Sequence, residues 1–190
     1  MRIIIITFIL VLSLQSWTKS ENISEFEIEG ISVGDSLLKH YNKSLIDNNK
    51  TFPKWKSKKF TRFVSFENLK QYDGLLFYFQ DDGKYLISSI SAVKRFPNNI
   101  DECYKQQKKL IKEFKNMFNN FELDTYESYH KADETGDSKN NIVDFHFENG
   151  TASRIICTDW SETMGIPDEL RITLQSKEYT YFITHDGWNS

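Results

Sequence analysis

Proline and glycine are scarce in this chain, which contains three prolines and eight glycines among 190 residues. Disordered segments are enriched in such residues and poor in aromatic ones, whereas aromatic residues make up 15% of this sequence. Because aromatic side chains bury large apolar areas, the chain can build a packed core. Global disorder is therefore not expected.

The familiar catalytic motifs are also missing. The sequence has no H-E-x-x-H, G-x-S-x-G or G-x-G-x-x-G pattern and no glycine-rich phosphate loop. These patterns position zinc ligands, a nucleophilic serine or a phosphate-binding backbone. The four histidines are isolated from one another in the sequence. We therefore predict no metal site, no cofactor and no assembled group of catalytic residues. Enzymatic activity is not the favoured hypothesis.

A long apolar run occurs only at the start of the chain. Residues 3–14 are almost all aliphatic or aromatic, Arg2 precedes them, and a polar stretch ends at Ser20. A positive start, about 7–15 apolar residues and small residues before the cut are typical of a cleavable signal peptide. A membrane anchor needs about 20 apolar residues, more than this run supplies. We expect residues 1–20 to be removed and the protein to be exported, to the periplasm or beyond the cell.

The remainder, residues 21–190, fits one soluble domain. Since residues 1–20 carry Arg2 and Lys19 and no acidic residue, their removal changes the net charge from −3 to −5. Nucleic-acid-binding domains are usually basic, so a nucleic-acid partner is not predicted. No cysteine follows Ser20 closely, so a lipid anchor has no attachment point, and no transmembrane segment is expected after it.

The sequence has only two cysteines, Cys103 and Cys157. Disulfides persist in oxidising compartments, so export favours a bridge between them. In the chain-entropy model such a bridge stabilises the fold by about 4 kcal/mol. Two buried thiols are the alternative, and a redox or catalytic cysteine is less favoured because the pair is not C-x-x-C.

Turn signals and hydrophobic periodicity predict an α+β domain. Asp82-Gly83 and Asn149-Gly150 each separate two strand-like stretches, and such dipeptides favour tight hairpins because they tolerate positive φ. A third hairpin is expected from 170–174 and 179–184. Apolar residues at three- and four-residue spacing predict an amphipathic helix over about 99–121. We expect an antiparallel sheet of several hairpins with this helix and short N-terminal helices packed on one face.

Residues 122–140 are polar, acidic and lack a clear period. This composition predicts a mobile surface loop within the domain.

Two aromatic segments are candidate binding surfaces. In the first, Trp55 lies among Lys56, Lys58 and Lys59, a pattern that binds anionic surfaces; a solvated loop leading into an edge strand is the alternative. In the second, Asp159 precedes Trp160 in an acidic and aromatic loop that could bind a sugar or a cation. A loop tryptophan also often folds back to cap a core.

Asp144 and His146 are the acid–base candidates. They lie two residues apart on a predicted strand, so they share one face of the sheet. A hydrolase acting on glycans or peptides could use that pair. An exposed polar strand face explains the same spacing.

The segment 29–38 (Glu-Gly-Ile-Ser-Val-Gly-Asp-Ser-Leu-Leu), the Tyr72-Asp73-Gly74 hairpin start and the paired cysteines resemble a group of small exported bacterial proteins of unknown function. The glycine-containing helix start followed by a sheet is more distantly similar to the β-lactamase-inhibitor-like fold of an outer-membrane assembly lipoprotein. The resemblance implies a location in the cell envelope rather than an activity.

Three functions follow as hypotheses. The first is a non-enzymatic module that binds another envelope protein or an anionic surface. The second is a hydrolase of envelope glycans or peptides, and the third is a domain that binds a small ligand between sheet and helix.

Overall fold

A computed structural model describes residues 22–55 and 57–186 of the chain. Seven strands form one antiparallel sheet, and three α-helices accompany it, so the predicted α+β class is confirmed. The strands are Thr61–Ser65 (β1), Gly74–Phe79 (β2), Ile87–Phe96 (β3), Phe121–Tyr129 (β4), Lys139–Phe147 (β5), Ala152–Asp159 (β6) and Asp168–Gln175 (β7). The helices are Lys43–Asn49 (α1), Ile100–Met117 (α2) and Lys177–His185 (α3).

The last strand sits in the middle of the sheet. The spatial order is β1-β2-β3-β7-β6-β5-β4, so β7 pairs with β3 on one side and with β6 on the other. Each half of the sheet is a three-stranded meander, and β7 joins them. The two predicted hairpins, β2–β3 and β5–β6, are both present.

The main core lies between one face of the sheet and α2. Helix α2 packs on β6 and β7, and its apolar side chains are buried against alternate residues of the central strands. Helix α2 contributes Phe114 to this core. The sheet contributes Phe77, Ile90, Phe145, Ile155, Leu170 and Ile172. Successive side chains of a strand point to opposite faces of the sheet. A sheet with its main core on one face therefore alternates buried apolar residues with less apolar ones.

A disulfide bond joins Cys103 of α2 to Cys157 of β6, as predicted. Both side chains are fully buried, and the Cα atoms are 5.9 Å apart. The bond therefore fixes the helix to a strand next to the centre of the sheet, across 54 positions of sequence.

Helix α3 covers part of the opposite face of the sheet. Tyr179 and Phe182 of α3 and Phe60 form a small second core there. The prediction of a strand at 179–184 was wrong. The Ser176 hydroxyl accepts a hydrogen bond from the Tyr179 amide at 3.1 Å, which starts a helix, and Tyr179 and Phe182 share one side of it.

The predicted loop at 122–140 was also wrong for most of its length. Residues Phe121–Tyr129 form β4, an edge strand that pairs with β5 along its whole length, and β5 begins at Lys139. The side chains of this edge strand are mostly exposed, so its sequence lacks apolar alternation. Helix α2 ends at Met117 rather than near 121, and Asn120 takes a positive φ of 53° between the helix and β4.

No helix among residues 22–55 and 57–186 is both long and apolar enough to cross a bilayer. The predicted signal peptide, residues 1–20, lies outside the described residues. Export therefore stays a prediction.

Replacing both cysteines, in C103A/C157A, should lower the free energy of unfolding by about 4 kcal/mol, because the unfolded chain gains the freedom of a long open loop. Urea denaturation followed by circular dichroism measures this loss. The control is the wild-type protein in reductant, which should show a similar shift. An unchanged midpoint in both samples would show that the bridge adds nothing to stability.

Candidate functional site

The first predicted surface, around Trp55, is occupied by packing within the chain. The Trp55 ring stacks on Tyr78 with centroids 5.4 Å apart and meets Phe182 edge-on at 5.2 Å. Lys59 forms an ion pair of 2.8 Å with Glu178 of α3, and Lys58 lies over the exposed Phe52 ring. Lys56 lies outside the described residues.

Trp55 therefore packs against α3 and extends the second core. The interpretation of this segment as a binding surface loses its aromatic element, because the ring that would contact a ligand contacts the protein. Trp55 thus caps a core in the way that the sequence analysis considered for a loop tryptophan.

Asp144 and His146 share one face of β5, as their spacing predicts, but they have separate partners. Both oxygens of the Asp144 carboxylate accept hydrogen bonds from Arg154, at 2.6 and 2.7 Å, and Tyr126 donates another at 3.1 Å. Asp144 is only 5% exposed. His146 is exposed and faces Asp124 at 3.4 Å.

Arg154 lies directly opposite Asp144 in the pairing of β5 with β6, so this contact is a cross-strand ion pair. A general acid or base must reach a substrate. The geometry does not support that role for Asp144, whose oxygens are already occupied.

The second predicted surface, around Asp159 and Trp160, forms a cavity of about 530 Å³ at the end of the sheet. The connection between β6 and β7 supplies one side, and the start of α2 with the residues just before it supplies the other. The residues that line the cavity are Pro97, Asn98, Ile100, Asp159, Trp160, Ser161, Glu162, Gly165, Ile166, Pro167 and Asp168. We call this cavity the Trp160 pocket.

One carboxylate holds the pocket's main loop in place. Asp133, in the turn between β4 and β5, accepts five hydrogen bonds: two each from Thr135 and Ser138 and one, at 2.8 Å, from the Ser161 hydroxyl. These donors hold the pKa of Asp133 well below the ordinary aspartate range. The Ser161 amide also donates to the Ser138 hydroxyl at 2.9 Å. The two connecting loops are therefore joined by a hydrogen-bonded network.

Asp168 fixes the backbone on the other side of Trp160. Its carboxylate accepts a hydrogen bond from the Trp160 amide at 3.0 Å and another from the Asn99 amide. Burial raises the pKa of Asp168, and the nearby charge of Asp159 raises it further. Asp168 thus connects the β6–β7 connection to the start of α2.

The Trp160 ring packs against His130, with ring centroids 4.2 Å apart. Burial is the largest cause that lowers the pKa of His130, followed by the positive charge of Arg171. The Trp160 indole N–H is buried and has no acceptor among the described residues. Trp160 therefore both packs against His130 and lines the pocket.

The charge of the pocket is negative. Asp159, Glu162 and Asp168 line it, and within the described part of the chain no lysine or arginine forms an ion pair with any of them. Among the described residues, no group of three or more His, Cys, Asp or Glu side chains is placed to hold a metal ion. The pocket combines acidic side chains with apolar walls from Ile100 and Ile166.

Asp159 and Trp160 were singled out from the sequence as a candidate surface, whereas Asp133 and Asp168, which hydrogen-bond the loop around them, were not. Asp168 lies in no recognisable motif. The pattern Asp133-x-Thr135 with Ser138 is typical of a polar turn in which an aspartate accepts bonds from following residues. That signal was available, but the Ser161 contact depends on pairing between β5 and β6.

No family model, no curated protein and no solved structure matches this chain.

Replacing Asp133 by Asn should lower the melting temperature at neutral pH, since an amide cannot accept all five hydrogen bonds as a carboxylate does. An unfolded aspartate titrates near pH ~4. Because the folded pKa is depressed, the stability that Asp133 contributes is complete above that pH and is lost as the pH falls below it. The difference between the two proteins should therefore shrink in acid.

Melting curves recorded by circular dichroism from neutral to acidic pH measure this difference. D137N is the matched control, because Asp137 is exposed in the same turn and the charge change is identical. A difference in melting temperature between wild type and D133N that stays constant at all pH values would contradict the role given to the Asp133 carboxylate.

Proposed function

We propose that this protein is an exported, non-catalytic binding module whose Trp160 pocket receives a basic side chain of another envelope protein. The observation that supports the proposal most directly is the set of three pocket carboxylates, which have no cationic partner among the described residues. A module of this kind needs one preformed pocket and no reacting group.

The composition of the pocket favours an arginine or lysine over a sugar or a metal ion. A long basic side chain has an apolar stem, which Ile100 and Ile166 can contact, and a charged end for Asp159 and Glu162. A cation can also pack on the face of a tryptophan, which adds about 0.5–1 kcal/mol at exposed sites. Arginine fits best because its planar guanidinium both stacks on aromatic rings and donates to carboxylates.

Rigidity of the pocket supports a binding role. The Asp133 network and the Asp168 bond to the Trp160 amide hold the loop before any ligand arrives. A preorganised site loses less conformational freedom on binding, so more of the contact energy appears as affinity.

Export is the second part of the proposal. The Cys103–Cys157 bond supports it, since structural disulfides form in oxidising compartments, and so does the sequence of residues 1–20. The hydrolase hypothesis receives no comparable support, because Asp144 is bound to Arg154 and His146 faces Asp124.

The acetylated peptide Gly-Arg-Gly-Arg-Gly-amide should bind to the mature chain and shift the amide resonances of residues 159–168 together with the Trp160 indole resonance. The same peptide with citrulline in place of arginine keeps the shape but not the charge, and it should bind far more weakly. Two-dimensional NMR titration measures both affinities.

In D159N/E162Q the arginine peptide should bind about tenfold more weakly, as expected for the loss of two partly exposed ion pairs. E122Q/E148Q is the matched control: it removes the same charge from exposed residues at the other end of β5 and should bind normally. Equal affinity for the arginine and citrulline peptides would refute the proposal.

A further inference from the structure

All four arginines that follow residue 20 lie on one face of the sheet. Arg62 is opposite Tyr78 and Arg154 opposite Thr173, whereas Arg171 is opposite Val93 and Arg95 opposite Glu169. Residues two apart along a strand point to the same side. Following the register across β1, β2, β3, β7 and β6 therefore places every guanidinium on the face opposite α2.

Three of these arginines border a second cavity, of about 290 Å³, on that face. Its residues come from β1, β2, β3 and β7 and from the turn after β1. They are Arg62, Val64, Phe66, Asp73, Gly74, Leu75, Leu76, Val93, Arg95, Glu169 and Arg171. We call this cavity the arginine pocket.

Gly74 lets the Phe66 ring lie close to the backbone at the floor of the arginine pocket. A Cβ atom at this position would lie 3.0 Å from the ring of Phe66, closer than carbon atoms normally approach. Val64, Leu76 and Val93 add aliphatic groups to the lining. Phe66 is 66% exposed, although it is a large apolar side chain at the rim. The floor and one wall of the pocket are therefore apolar.

Three arginines and two carboxylates, those of Asp73 and Glu169, line the arginine pocket, so the lining carries a net positive charge. Arg171 forms an ion pair of 2.7 Å with Glu169. The Arg62 side chain donates to the Thr51 hydroxyl at 3.1 Å, and neither Arg62 nor Arg95 has a carboxylate partner among the described residues. The Asp73 carboxylate accepts from the Arg95 backbone amide at 2.6 Å. The Arg95 guanidinium is thus available to a ligand.

We propose that the arginine pocket binds a small amphipathic carboxylate, with its hydrocarbon part on Val64, Leu76, Val93 and Phe66 and its carboxylate on Arg95. Arginine donates paired hydrogen bonds that match the geometry of a carboxylate. An apolar floor with a few charged groups at its edge is the usual composition of a ligand pocket. This ligand is an anion, whereas the ligand proposed for the Trp160 pocket is a cation. The two proposals can therefore be tested independently of each other.

The test uses octanoate as the probe, with the mature wild-type chain and NMR titration. Octanoate should shift resonances of β1, β2 and Arg95. Acetate, which lacks the chain, and octylammonium, which reverses the charge, should bind at least about tenfold more weakly, since each loses one of the two kinds of contact.

R95Q should weaken octanoate binding by about tenfold, because it removes a charged donor. K94Q is the matched control: it makes the same charge change one residue away, on the opposite face of β3, and should bind octanoate normally. G74A, whose added Cβ meets Phe66, should reduce binding without changing any charge. If G74A does not fold, the comparison of R95Q with K94Q still tests whether octanoate binds in the arginine pocket.

Absence of octanoate binding, or equal binding of octanoate and octylammonium, would overturn this assignment. So would equal loss in R95Q and K94Q, since that would reflect net charge rather than the pocket. None of these outcomes affects the arginine-peptide test of the Trp160 pocket.

Discussion

Helix α2 and the strand beneath it are joined by a covalent bond, and this attachment fixes how the helix lies on the sheet. Cys103 and Cys157 are fully buried in the main core and tie α2 to β6. The helix therefore covers the centre of one face, and the residues just before it come to lie beside the connection between β6 and β7. The Trp160 pocket forms at this junction, with Ile100 on one side and Ile166 on the other.

The same arrangement leaves the second face of the sheet only partly covered by other elements. Helix α3, with Tyr179 and Phe182, shields only a part of it, and Trp55 extends that shield. An antiparallel sheet can leave one face to solvent if that face carries polar residues. Here the polar residues include every arginine after residue 20, and three of them, Arg62, Arg95 and Arg171, border the arginine pocket.

The sequence was most informative where a local pattern determines the structure. Apolar spacing predicted α2, Asp82-Gly83 and Asn149-Gly150 predicted two hairpins, and the pair of cysteines predicted the bridge. Strand β4 was missed because an edge strand exposed along most of its length needs no apolar alternation.

Long-range pairing was beyond the reach of local patterns. The grouping of Arg62, Arg95 and Arg171 depends on the insertion of β7 between β3 and β6, which no local pattern records. Likewise, Asp159 and Trp160 stood out by residue type, whereas the role of Asp133 required knowing that Ser161 lies beside it. Residue types thus pointed to one candidate site, and the topology was needed to find the other.

The central claim is that one small sheet carries two separate binding sites of opposite charge. The most direct test is a single NMR sample titrated with the arginine peptide and octanoate together. The account predicts that residues 159–168 respond only to the peptide, that β1, β2 and Arg95 respond only to octanoate, and that neither ligand changes the affinity of the other. Competition between the two ligands, or one set of residues responding to both, would contradict it.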